Sequence, residues 1–312
     1  MAETGKGAAM FWSLKIHAFT SMWVLLLAGL LPLGADAQGR RMEGSIETLA
    51  VRGNLSMLVM EPAGNVLVST GADGVAIIDD QFAPQTPRIL EAVKALSDQP
   101  VRYVFNTHWH GDHTGGNVNM AKAGATIMAH DNVRKRLEET PMRDNSKRPA
   151  EALPVITFND KMSMYINGEH VAIFHVDEAH TDGDVIIYFT ESNVLHTGDT
   201  YFKERYPYID LNSGGSLNGY IAAVERTLML IDEETKIIPG HGTVSNKAEY
   251  RNFLKMMKTI KANVQAEIDK GKSEEEVAVN GAVTKQYDNL GYGSGFINSE
   301  RARRIFYKSL KN

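Results

Sequence analysis

His108-Trp109-His110-Gly111-Asp112-His113 places four side chains of metal-binding type within six residues, directly behind an apolar run, Val101 to Phe105. A chain leaving a strand points side chains i and i+2 to the same side, so His108 and His110 can face one ion together. Gly111 lets the backbone turn, and Asp112 and His113 can then face a second ion. Imidazole and carboxylate both suit zinc and related divalent cations. Such a loop needs a rigid strand end beneath it and further strand ends nearby to complete its ligand sets.

Three further acidic or imidazole groups stand where strands are expected to end. His180 follows a strand expected over 169–176, Asp199 follows one over 193–197, and His241 sits in Pro239-Gly240-His241-Gly242 after one over 236–238. This scheme uses five of the ten histidines. Of the rest, His17 belongs to the N-terminal segment, His130 opens a helix, and His170 and His175 lie on a strand. His196 is near enough to Asp199 to support it, although a lone histidine is more often structural.

Hydrophobic spacing supplies the frame. Period-two runs predict strands over 56–60, 65–69, 75–78, 101–105, 125–129, 154–158, 161–166, 169–176, 184–190, 193–197 and 236–238. Helical spacing marks 84–98, 117–123, 132–139 with Asp131 as its N-cap, 217–230, 246–269 and a basic amphipathic stretch near 299–310. Residues 140–152 read as a surface loop. Strands followed by strand–helix alternation, twice over, suggest an α/β (α+β) fold: a four-layer αββα sandwich of two mixed β-sheets flanked by helices.

Composition narrows the function. A formal net charge of −5 over 312 residues argues against nucleic acid as the main partner. With no cysteine, disulfides, thiolate ligands and a cysteine nucleophile are excluded. Lys6, Lys15 and His17 precede an apolar run, Met22 to Leu33, that ends in Gly34-Ala35-Asp36-Ala37. That pattern predicts a signal peptide over 1–37, cleaved after Ala37, because the run is shorter than the roughly 18–20 residues of a membrane span. The expected product is an exported protein, periplasmic or secreted, with no stable membrane span. Residues 38–269 form the expected catalytic domain and 270–312 a C-terminal helical extension.

The hexad at 108–113, the later His180, the Gly198-Asp199 pair and the Gly240-His241-Gly242 turn come in an order that resembles the metallo-β-lactamase-fold superfamily of hydrolases. The resemblance covers roughly residues 45–245. It implies that His108, His110 and His180 bind one metal, that Asp112, His113 and His241 bind another, and that Asp199 bridges them. Asp79 resembles the acidic residue that ends an early strand there and supports the site without binding metal. One group of zinc β-lactamases has a Cys ligand where this chain has Asp199, and another normally lacks the bridging Asp. The full set looks more like the glyoxalase II, lactonase and phosphodiesterase branches.

What the resemblance implies is an exported hydrolase with two divalent ions, zinc by ligand chemistry, though iron or manganese also suit the donors. A hydroxide shared by the ions, oriented by Asp112 as the catalytic carboxylate, would attack the carbonyl of an ester, lactone, thioester or amide. Two alternatives stand beside it: a zinc β-lactamase, and a non-hydrolytic metal-binding accessory protein of an exported redox system. Ser213, Gly214, Gly215 and Ser216 open the helix after Asp199, either as a substrate-binding anion clamp or, in the case of Ser216, as a helix cap. Trp109 either walls the pocket or packs beneath it. The Glu61-to-Asn65 hairpin turn is near enough in sequence to the first strands to act as a flap or simply as a turn.

Overall fold

The computed structural model describes residues 46–60, 63–142 and 145–311. The signal-peptide reading at 1–37 lies outside the described residues, as do Glu61 and Pro62 of the hairpin turn.

The first half of the chain builds one sheet. β1 (Glu47–Arg52), β2 (Leu55–Val59), β3 (Val66–Ser69) and β4 (Val75–Ile78) pair antiparallel in sequence order. Helix α1 (Thr86–Leu96) then carries the chain over to β5 (Val101–Phe105), which runs parallel to β4. Two short helices, α2 (Gly111–Thr114) and α3 (Asn117–Lys122), lead to β6 (Thr126–His130), and α4 (Asp131–Glu139) leads towards β7 (Ile156–Phe158). The seven strands stand in the order β1 to β7.

The second sheet has β8 (Lys161–Ile166), β9 (Glu169–His175), β10 (Val185–Phe189), β11 (Val194–His196), β12 (Lys236–Ile238) and the short β13 (Ser245–Asn246). All neighbours are antiparallel except β11 and β12. Between those two the chain crosses through α5 (Leu217–Leu230), as a parallel connection requires. After β13 come α6 (Lys247–Asp269), α7 (Glu274–Val279), α8 (Lys285–Asp288) and α9 (Ser299–Lys311).

Strand alternation sorts the core into layers. Met57, Leu67, Ala76, Ile78 and Phe105 of the first sheet meet Ile173, Val185, Ile187 and Ile238 of the second in one buried cluster. Their strand neighbours Leu58, Val66, Val68, Ile77 and Val104 turn the other way, onto Ile89 and Val93 of α1 and Met120 of α3. The outer face of the second sheet, with Phe174, Ile186, Leu195 and Ile237, packs on α5 and α6 through Leu217, Tyr220, Val224, Phe253 and Met257. This is the αββα order expected from the sequence. The segment beyond 270 joins it, since Val277, Val283, Tyr287, Ala302, Ile305 and Phe306 belong to the cluster over α5 and α6.

Three local expectations need correction. β1 was not foreseen: it is an edge strand whose Glu47 and Thr48 are exposed, so its apolar pattern is weak. The cap of α4 is His130 rather than Asp131, its ring Nδ1 accepting the Asn132 amide at 3.2 Å. The loop 140–152 also holds a 3₁₀ turn, Ala150–Ala152. Among the described residues no helix is long and apolar enough to cross a membrane.

Candidate metal centre

Loops at the ends of β5, β9, β11 and β12 bring the seven expected side chains together in two groups. His108, His110, His180 and Asp199 offer ligand atoms within 4.8 Å of one another, and so do Asp112, His113 and His241. Asp199 faces both. Its Oδ2 lies 3.8 Å from His108 Nε2 and 3.6 Å from His180 Nε2. Its Oδ1 lies 3.3 Å from His113 Nε2 and 3.5 Å from His241 Nε2. Asp112 Oδ2 closes the second group, 3.6 Å from His113 Nε2 and 3.4 Å from His241 Nε2.

Glycines make this convergence possible. Gly198 adopts φ +50° to turn the chain off β11 and present Asp199, a conformation that costs most other residues energy. Gly240 passes so close that a Cβ there would overlap Asp199 Oδ1. His196 is fully buried and its Nδ1 accepts the Gly198 amide at 3.1 Å. It therefore holds the turn that carries Asp199.

The outer nitrogens of the rings fix which inner atoms carry lone pairs. His113 Nδ1 donates to Asp79 Oδ2 at 2.7 Å, and His180 Nδ1 donates to the Tyr208 carbonyl at 2.7 Å. His110 Nε2 donates to Asp210 Oδ2 at 3.0 Å. His108 Nδ1 pairs with Thr107 Oγ1 at 3.1 Å, whose own hydroxyl donates to Asp79 Oδ2 at 2.8 Å. That leaves His108 Nε2 and His180 Nε2 aimed at His110 Nδ1, 3.1 and 2.9 Å away. Three imidazole lone pairs converging on one point repel one another unless a cation lies among them. In the second group, His113 Nε2 and Asp199 Oδ1 are buried and make no hydrogen bond within accepted geometry. With Nδ1 donating to Asp79, a neutral His113 presents Nε2 as an acceptor, and two buried acceptors facing each other are what a cation would relieve. The donor set thus fits a metal centre.

The two groups carry charge differently. Burial, reinforced by His113, pushes His108 well below the usual imidazole range, and burial pushes His180 down to about 4. Both are neutral. Burial is the largest single influence on His113 and His241 and opposes their charge, but Asp199 and Asp112 together outweigh it; His113 is raised and His241 reaches about 10. Burial opposes the charge on Asp112 as well, yet His113 and His241 hold it down to about 2. Of the seven, His110 and Asp112 are the most open to solvent, with side chains 18% and 26% exposed.

Asp79 stands where the resemblance puts it, buried, at φ 63°, and takes the Thr107 amide at 2.7 Å besides the bonds above. Asp210 is the supporting residue the sequence reading did not single out. Besides His110 it accepts Ser213 Oγ at 2.6 Å, and its amide donates to the His180 carbonyl at 2.9 Å. It therefore braces two members of the first group. Only a short hydrophobic–polar loop marks it in sequence, and nothing in that loop reveals a partner 100 residues away.

Residues 213–216 are used differently from the anion-clamp expectation. The Ser213 and Gly215 amides donate to the Asp210 carbonyl, and the Ser216 amide donates to Glu178. Ser216 Oγ accepts the Gly219 amide at 2.9 Å, which makes it the cap of α5. An anion needs free amides, and these three are already bonded. Trp109 lies beside His110 with its ring tilted and the centres 5.2 Å apart, under Arg136 at 5.9 Å, and packs against Ala129, Val133 and Leu137. Gly64 lies over the His113 ring, and Asn65 is tied to Pro239, Gly240 and Gly242. That end of the hairpin turn is anchored to the His241 loop.

A profile of the metallo-β-lactamase superfamily matches residues 50–241, well over half of the chain. The chain belongs to the metallo-β-lactamase superfamily. It is similar to a hydroxyacylglutathione hydrolase of Pelagibacter ubique, 26% identical over 203 residues, 63% of this chain and 70% of that protein. A Nitrosococcus oceani protein of the same name is 28% identical over 186 residues, 58% of this chain and 63% of its own. A metallo-β-lactamase type 2 of Bacillus sp. is 21% identical over 195 residues, covering 62% and 72%. The chain spans about two thirds of the length of these relatives. In fold it matches a metallo-β-lactamase from Pontibacter korlensis with a TM-score of 0.59 at 18% identity, over 69% of this chain and 99% of that one. Relatives of this superfamily member are hydrolases by name, and it is a superfamily hydrolase with a site suited to metal.

Proposed function

We propose that this chain is an exported hydrolase that holds two divalent cations, zinc by ligand chemistry, and cleaves a carbonyl substrate: an ester, lactone, thioester or amide. The observation that carries this reading is Asp199, one oxygen turned to each group of ligands. His108, His110 and His180 would hold one ion, and Asp112, His113 and His241 the other, with Asp199 shared. Bound there, the pair supplies an acidified water and a polarising centre for the substrate carbonyl. Asp112, ionised and at the mouth, accepts a hydrogen bond from the attacking water and orients it. Asp210 and the Tyr208 carbonyl keep protons on the outer nitrogens of His110 and His180, so their inner nitrogens stay available as ligands. Export rests on the N-terminal sequence pattern alone, basic residues and then a short apolar run ending in Ala-Asp-Ala.

Elemental analysis of the purified protein should find about two equivalents of divalent metal. Turnover on a panel of esters, lactones, thioesters and β-lactams should vanish with chelator and return with zinc. Full metal loading with no turnover of any member would favour the accessory-protein reading. Chelator-sensitive cleavage of nitrocefin at rates above those for the esters would favour a β-lactamase.

A further inference from the structure

The C-terminal segment lies beyond the part of the chain that the superfamily profile matches, yet it reaches the metal centre. Tyr208 is the link. Its ring stacks on His110 with centres 5.9 Å apart and meets His180 at 5.6 Å. On Tyr208 sit two residues from the far end of the chain. Phe296 meets it edge-on at 5.8 Å, and the Arg301 guanidinium lies 5.3 Å from its centre. Arg301 also covers the Phe296 ring, at 4.6 Å.

Two features of this cluster are unexplained by folding. Phe296 is 74% exposed, a large apolar surface left in water although the cluster over α5 and α6 lies close by. Arg301 has no carboxylate against it among the described residues, whereas Arg303 and Arg304 on the same helix are each paired with acids. An arginine resting on two aromatic faces is held in place while its N–H fork stays available.

We infer that Phe296, Tyr208 and Arg301 form a substrate subsite beside the ligands of the first group, one that takes a flat apolar group bearing a carboxylate. The apolar part would lie on Phe296 and Tyr208, and the carboxylate would pair with Arg301 through a two-pronged hydrogen bond. The hydrolysed carbonyl would then lie towards His110 and Asp112. This inference rests on the hydrolase reading for its use of the subsite, but binding can be measured without turnover.

The test compares phenyl acetate with 4-acetoxybenzoate, the same ester with a carboxylate added, on zinc-loaded wild type, R301Q, R301K and F296A. Wild type should show the lower KM for 4-acetoxybenzoate. R301Q should raise that KM about tenfold, with kcat within about twofold and phenyl acetate unchanged, and R301K should recover part of the loss. F296A should raise KM for both esters. Calorimetry with 4-hydroxybenzoate should show the same loss of affinity in R301Q. If R301Q binds 4-hydroxybenzoate as wild type does, or wild type does not bind it at all, the subsite is overturned. If neither ester is turned over but R301Q still loses affinity, the subsite stands and the hydrolase reading falls.

Discussion

The two ligand groups share Asp199 but solve opposite problems. In the first group His108 and His180 are neutral, and the lone pairs of its three rings are aimed by acceptors behind each ring. Asp112, His113 and His241 form a charged cluster in which protons on imidazole offset two carboxylates. The first resembles a seat kept ready, and the second a seat filled by hydrogen ions. An incoming cation is attracted to both, but at the second it must first displace those protons. The difference shows that ligand identity alone does not set affinity; the charge each ligand already carries does.

The harshest way to break this comparison is to remove what the groups share. Asp199→Ala should lose both ions' bridge, and turnover should fall by at least about 10²–10³-fold with metal content below one equivalent. A variant that kept two tightly bound equivalents would sink the bridging assignment. Next, Asp112→Ala should remove the mouth carboxylate and cost a similar factor in kcat, with circular dichroism showing the fold intact. Near-normal turnover there would mean that water is oriented by another group.

A subtler change separates the two groups. Asp210→Asn leaves the loop the same size but weakens the acceptor behind His110 Nε2. Affinity for the ion of the first group should drop about 10–100-fold in a chelator competition, while the second changes little. Equal loss at both would mean that the loop acts only on the fold. The pH dependence sharpens the same contrast. His241 has a pKa near 10 and His113 is also raised, so both stay protonated through neutral pH without metal. Binding at the second group should therefore strengthen about tenfold per pH unit for each proton displaced, between pH 6 and 9. His180, near 4, is neutral throughout that range, so binding at the first group should be nearly flat. Parallel slopes in a titration across that range would erase the distinction. The smallest effect concerns stability alone: Ser216→Ala should lower the unfolding free energy by about 1 kcal/mol in urea, without changing KM for an anionic ester.

Much of this was legible in the sequence because it is local. His108 to His113 sit on one turn, and β5, β8, α5 and β12 announce themselves by spacing. His180, Asp199 and His241 were findable because each follows a strand. What stayed hidden depends on contacts that no spacing encodes. Asp210 meets His110 only once β5 and the loop after β11 are side by side. The Ser213, Gly215 and Ser216 amides look free until Asp210 and Glu178 fold back onto them. β1 has one buried position in six, too faint a pattern to separate from loop.

The last helix has a consequence beyond its own packing. Ile305 and Phe306 anchor it among the side chains of α5 and α6, while Arg301, one turn earlier, leans on the ring beside His110. A substitution that shifts this anchor by a fraction of an ångström would retune which molecules the enzyme accepts long before it melts. Selectivity can therefore drift under mutation here while every ligand of the cations stays untouched.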